Sequence, residues 1–62
     1  MFDYGDKVKI KSTGEIGFIC DTDPVDGKEH YIVDTNLKGY VKEGENVFNY
    51  IKNCFADEIE KV

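Results

Sequence analysis

The 62 residues predict a single domain spanning 1–62, and a hydrophobic share of 40% is too high for a disordered tail. Thirteen acidic residues against eight lysines, with no arginine, leave a net charge of −5. Phosphates and guanine edges therefore lose their usual bidentate reader, and a protein partner is favoured over nucleic acid. No apolar run approaches the roughly 18 residues of a membrane span, and the first residues lack the basic-then-apolar order of a secretory leader. The expectation is a soluble, cytoplasmic chain.

Residues 6–11 read Asp-Lys-Val-Lys-Ile-Lys. This strict alternation predicts a half-buried strand with Val8 and Ile10 inward and Lys7, Lys9 and Lys11 outward. Residues 12–15 form a turn cluster. A second strand is predicted over 16–21, with Gly17 marking a bend or bulge inside it. Residues 21–28 hold three aspartates, Pro24 and the pair Asp26-Gly27, a strong hairpin signal because both positions tolerate positive φ. Residues 29–34 return as a third strand rich in β-branched and aromatic side chains.

The second half offers less pattern. Residues 35–39 read as a loop, 40–43 as a short strand, and 44–46 as a break. From Val47 onward two readings compete. At helical spacing Phe48, Ile51, Phe55, Ile59 and Val62 share a face, and Asn46 is placed to cap its start. Asn49, Tyr50 and Asn53 are poor helix formers, however, and Glu58 falls inside the apolar arc. The other reading is a strand over 47–53, a tight turn over 55–58 and a last strand over 59–62.

A resemblance favours the strands. Tyr4-Gly5-Asp6-Lys7-Val8-Lys9-Ile10, followed by Thr13-Gly14-Glu15-Ile16-Gly17-Phe18-Ile19, resembles the opening of KOW- and Tudor-like SH3 barrels. Those families open with a Gly-Asp-x-Val strand, turn on glycine, and place a Gly-x-Val/Ile step in strand two. Cys54-Phe55-Ala56-Asp57-Glu58-Ile59-Glu60-Lys61-Val62 resembles their ending, a 3₁₀ turn feeding the closing strand. The resemblance covers about half the chain, and 35–46 has no part in it. It implies a mostly β fold: a five-stranded SH3-like small barrel with a 3₁₀ turn before the last strand. The alternative is a β-meander with a C-terminal helix from about Val47.

Catalytic and metal chemistry find little support. Counted from Asp21, the sixth residue of an EF-hand loop is Asp26 rather than glycine, and the twelfth is Ile32 rather than glutamate. The acidic stretch reads as a hairpin turn. His30 is the only histidine, and Cys20 and Cys54 lack zinc-site spacing. The strand order allows Cys20 and His30 to meet across a hairpin, but with no oxyanion hole or pocket behind them. Both thiols read as small hydrophobes, and no glycine sits in a phosphate-loop context. Neither a metal, a cofactor nor an enzymatic activity is expected.

Three binding readings remain. The core is expected to draw on Val8, Ile10, Ile19, Ile32 and Ile59, leaving several aromatics partly exposed. Tyr4, Phe18, Tyr31, Tyr40 and Tyr50 are then candidate anchors for a protein partner, rimmed by carboxylates, in an adaptor or regulatory module. Tudor-like proteins gather such aromatics into a cage for methylated lysine or arginine, though nothing in this sequence fixes four around one point. Alternatively, Lys7, Lys9 and Lys11 follow an RNA or DNA backbone, as the KOW resemblance implies; the plainer reading is that they keep an exposed or edge strand from pairing with other sheets. Thirdly, the acidic surface mimics nucleic acid and blocks a basic partner.

Overall fold

The computed structural model describes residues 2–62. They form five antiparallel strands in one sheet: β1 (Lys7–Ile10), β2 (Ile16–Thr22), β3 (His30–Asp34), β4 (Ile51–Phe55) and β5 (Ile59–Lys61). The order across the sheet is β4-β3-β2-β1-β5, so the last strand returns to pair with the first. No ladder joins β4 to β5, and the sheet is not closed. Among the described residues there is no α-helix, and no helix is long and apolar enough to cross a membrane.

Each turn follows from local chemistry. Asp26 and Gly27 take positive φ (52° and 75°), while Val25 and Lys28 exchange both backbone hydrogen bonds at 3.0 and 2.9 Å. That is the left-handed two-residue turn whose twist matches its flanking strands. Gly14, at φ 77°, donates to the Ile10 carbonyl and closes the β1–β2 turn. Before β5, residues Ala56–Glu58 form one 3₁₀ turn, and the Glu58 carboxylate accepts from the Phe55 N–H at 2.9 Å.

The inner face of the sheet carries the core: Val8, Ile10, Ile19, Tyr31, Val33, Cys54 and Ile59, with Phe2 and Ala56 packed against it. Ile32, expected inside, is half-buried on the outer face, and Tyr31, expected outside, is 2% exposed. The run from 29 to 34 is apolar at both parities, so alternation alone does not choose its inner face. Pairing chooses it, because Tyr31 lies opposite buried Cys54 and Ile32 opposite exposed Asn53.

The bend of β2 comes three residues later than expected. Its register shifts between Ile19 and Asp21, making Cys20 the bulged residue. Gly17 has a different task. A Cβ there would lie 2.6 Å from the Asp34 carbonyl oxygen and 2.6 Å from Val33 Cγ1, so only glycine lets β2 and the end of β3 approach so closely.

Two expectations in the second half are corrected. Residues 40–43 form no strand, and the segment from Thr35 to Asn46 has none. The stretch from Val47 is neither a long helix nor a strand over 47–53: Val47–Tyr50 is a single 3₁₀ turn, and β4 runs from Ile51 to Phe55. Asn46 does cap that turn, its side chain accepting from the Phe48 N–H at 3.0 Å. The turn stops because the Tyr50 carbonyl is taken by Thr35, whose N–H and hydroxyl both donate to it, at 2.9 and 2.8 Å. This draws the chain into the β3–β4 ladder.

Candidate functional site

Residues 35–50, the connection between β3 and β4, carry most of the chain's large exposed apolar side chains. Leu37, Tyr40, Val41, Val47 and Phe48 are all exposed, and Phe48 reaches 74%. A solvated segment of this kind needs its backbone groups paired by other means than a ladder. Asn36 accepts from the Lys38 N–H at 3.2 Å and donates to the Tyr40 carbonyl at 3.0 Å. Asp34 at the end of β3 accepts from the Asn36 N–H at 2.9 Å. The Glu45 N–H donates to the Lys42 carbonyl at 3.0 Å.

Lys38 ties these pieces together. Its ammonium lies 5.5 Å from the Tyr40 ring centre and 5.7 Å from that of Tyr50, and 3.9 Å from a Glu45 carboxylate oxygen. The Tyr50 hydroxyl donates to the same carboxylate. A cation between two ring faces and a carboxylate is attractive on both counts, and it draws Tyr40 and Tyr50 together from ten residues apart. The chain supplies this cation itself.

The remaining sequence candidates scatter. Tyr4 is 66% exposed in the turn before β1, its hydroxyl donating to Asp21 at 3.3 Å. Phe18 is 42% exposed on the outer face of β2. Tyr31 belongs to the core, where its hydroxyl donates to Glu29 at 3.1 Å and its ring meets Phe2 edge-on at 5.4 Å. The five aromatics thus form no single patch; only Tyr40 and Tyr50 share a site. Sequence reasoning missed Leu37, Lys38, Val41, Val47 and Phe48. The available signal was a set of apolar residues from 37 to 48 in a stretch that Gly39 and Gly44 keep from forming a regular element.

Lys7 and Lys9 do point outward from β1, and Lys11 lies in the turn that follows. Among the described residues none of the three has a carboxylate within 4.0 Å. Edge protection is not their role, because β1 lies between β2 and β5. Cys20 and His30 do not meet: the Cys20 thiol donates to the Ile32 carbonyl at 3.4 Å, while His30 sits opposite Phe55, rings 5.1 Å apart. Burial, then the nearby Asp34 and Asp21 carboxylates, push the Cys20 thiol up, away from the reactive thiolate.

A cavity of about 150 Å³ lies beside the β2–β3 hairpin, lined by Phe2, Thr22, Pro24, Glu29, His30 and Tyr31. It has half the volume of the smallest usual ligand pockets, about 300 Å³. Among the described residues no group of three or more His, Cys, Asp or Glu side chains is placed to hold a metal ion. Comparison with protein-family models, with curated proteins and with solved structures finds no match to this chain.

Proposed function

We propose that this chain is a non-enzymatic binding module of SH3-like fold that engages a basic, partly apolar segment of a protein partner through its β3–β4 connection. The observation that carries the reading is the exposure of Leu37, Tyr40, Val41, Val47 and Phe48 together on one connection. Exposed aromatic side chains such as Tyr40 are favoured interface anchors, and the aliphatic side chains beside them extend an exposed apolar surface of the kind that marks interaction sites. Glu43 and Glu45 are balanced within the connection by Lys38 and Lys42, so the bias toward a partner of opposite sign comes from the whole chain, which carries −5. The SH3-like assignment draws support from the pairing of β1 with β5, the bulge in β2 and the 3₁₀ turn before β5.

The test is affinity capture with the folded chain, run beside the pair of variants Tyr40→Ser and Phe48→Ser. Both positions are exposed, so the sheet keeps its spectrum. A partner retained by the native chain and lost by both variants supports the reading. Retention that is indifferent to both variants sinks it.

A further inference from the structure

The outer face of the sheet presents a cross-strand row in which Lys7, Phe18, Asp34 and Ile51 follow one another on β1, β2, β3 and β4. Alongside it lie Ile16, paired with Lys9, and Ile32, paired with Asp21 and Asn53. Ile16, Ile32 and Ile51 are half-buried and Phe18 is exposed, and among the described residues no strand or helix outside this sheet is long enough to form a second layer. Directly beside Phe18 stand a cation on one side and an anion on the other. Among the described residues Lys7 has no carboxylate within 4.0 Å, and Asp34 spends one oxygen on the Asn36 N–H.

We propose that this outer face is a self-complementary dimer surface, on which a second copy of the chain packs face to face about a two-fold axis running along β2 through Phe18. Rotation about that axis exchanges the β1 and β3 sides. Phe18 then meets Phe18, and Lys7 of each copy faces Asp34 of the other, which makes the contact isologous. An axis running across the strands would instead set Lys7 over Lys7 and Asp34 over Asp34. The Lys7–Asp34 pairs favour the first axis, against an opposing Asp21–Asp21 contact that the same axis creates at the far end of β2. This face adjoins the β3–β4 connection at Asp34 and Ile51, but its residues are different ones, and the inference does not depend on the partner-binding reading.

The geometry also sets the strength. Four strands at about 4.8 Å spacing, with about five residues each at 3.3 Å, offer only some 300 Å² of projected sheet. Standard interfaces take about 800 Å² per partner. A contact this small places association in the weak, transient class.

The experiment is sedimentation equilibrium of the full chain from about 10 μM to 1 mM, with isotope-filtered NOEs on a mixed-label sample at the top of the range. The expected result is a reversible rise toward twice the chain mass, with intermolecular NOEs joining Phe18, Ile16 and Ile32. Phe18→Glu stays monomeric throughout. Lys7→Asp and Asp34→Lys each weaken self-association roughly tenfold, and a mixture of the two recovers it, because each supplies the charge the other lacks. The NOE measurement needs no variant, so a misfolded Asp34→Lys does not blunt the test. A chain that is monomeric at 1 mM, or one whose intermolecular NOEs arise only from residues 35–50, overturns the proposal. So does a monomer whose Lys7 and Lys9 resonances move on adding a short RNA or DNA duplex, which returns this face to nucleic acid.

Discussion

The sheet and the β3–β4 connection are built on opposite plans. In the sheet, seven side chains are hidden and backbone groups are paired strand to strand. In the connection the apolar side chains face solvent, and order comes from polar links made by Asn36, Lys38, Glu45, Asn46 and Tyr50. Fully burying a Val or Ile side chain contributes about 1.5–3 kcal/mol, whereas an exposed ion pair or cation–π contact contributes about 1 kcal/mol or less. The stability of the molecule therefore resides in the sheet, and the connection is free to be loosened without unfolding it. On the proposed reading, the partner surface lies where local change is cheap.

The most severe way to break this division is to empty the core. Ile19 is among the largest fully buried side chains, and Ile19→Ala removes about 2–5 kcal/mol. A chain this short has a net stability of only about 3–5 kcal/mol. The variant is expected to lose its dispersed amide spectrum at 25 °C, connection included. Gly17→Ala comes next. Its Cβ meets the Asp34 backbone and Val33 at 2.6 Å, so strands must part, at about 1–3 kcal/mol; urea denaturation measures the lowered midpoint. A Gly17→Ala chain as stable as the native one would mean that β2 and β3 can separate freely there.

Where the sequence was legible, the signal was local. The alternation in 6–11 places β1 and its inner face, Asp26-Gly27 sets the hairpin, and 56–58 turns as the resemblance implies. The parity of β3 was hidden because His30, Tyr31, Ile32 and Val33 give both faces apolar character. The bulge at Cys20 was hidden because the chain signals a bend at Gly17, whose real constraint is a neighbour 16 residues away. The connection was hidden for a deeper reason. Its order depends on side chain-to-backbone links and on Lys38 reaching two rings, and neither leaves a period in the sequence.

Thiol labelling sharpens the contrast from within the sheet. Cys54 is 3% exposed, and burial, then Glu58 and Glu15, push its thiol up; Cys20 is exposed at the bulge. Labelling of Cys54 requires the sheet to open, so it is expected to run roughly a hundredfold or more slower than that of Cys20. Lys38→Met tests the other region. It keeps the aliphatic stem but loses the cation between Tyr40, Tyr50 and Glu45, at about 1 kcal/mol or less. Amide exchange over 36–50 should quicken, while the Cys54 labelling rate stays as in the native chain. If Cys54 labelling accelerates as well, the two regions unfold together and the division between them is wrong.

The smallest expected effect lies at the N-terminal edge of the sheet and concerns acid. The Asp3 N–H donates to the Asp6 carboxylate at 2.8 Å, and the Lys61 ammonium of β5 stands 3.5 Å away. The backbone hydrogen bond from Asp3 is the largest influence and holds this carboxyl below its ordinary value of 3.8; burial opposes it, and the Lys61 ammonium adds a lesser lowering. A carboxyl depressed in the folded state stabilises it at pH values above the ordinary one, and that stabilisation fades as pH falls through the folded value. Asp6→Asn retains an oxygen to accept from Asp3 but cannot titrate or attract Lys61. Urea midpoints of the two chains should therefore differ slightly near neutrality and converge as pH falls below about 4. A difference that stays constant with pH would show that the charge of Asp6 contributes nothing to stability. The β1–β5 pairing would then owe nothing to the Lys61 pair.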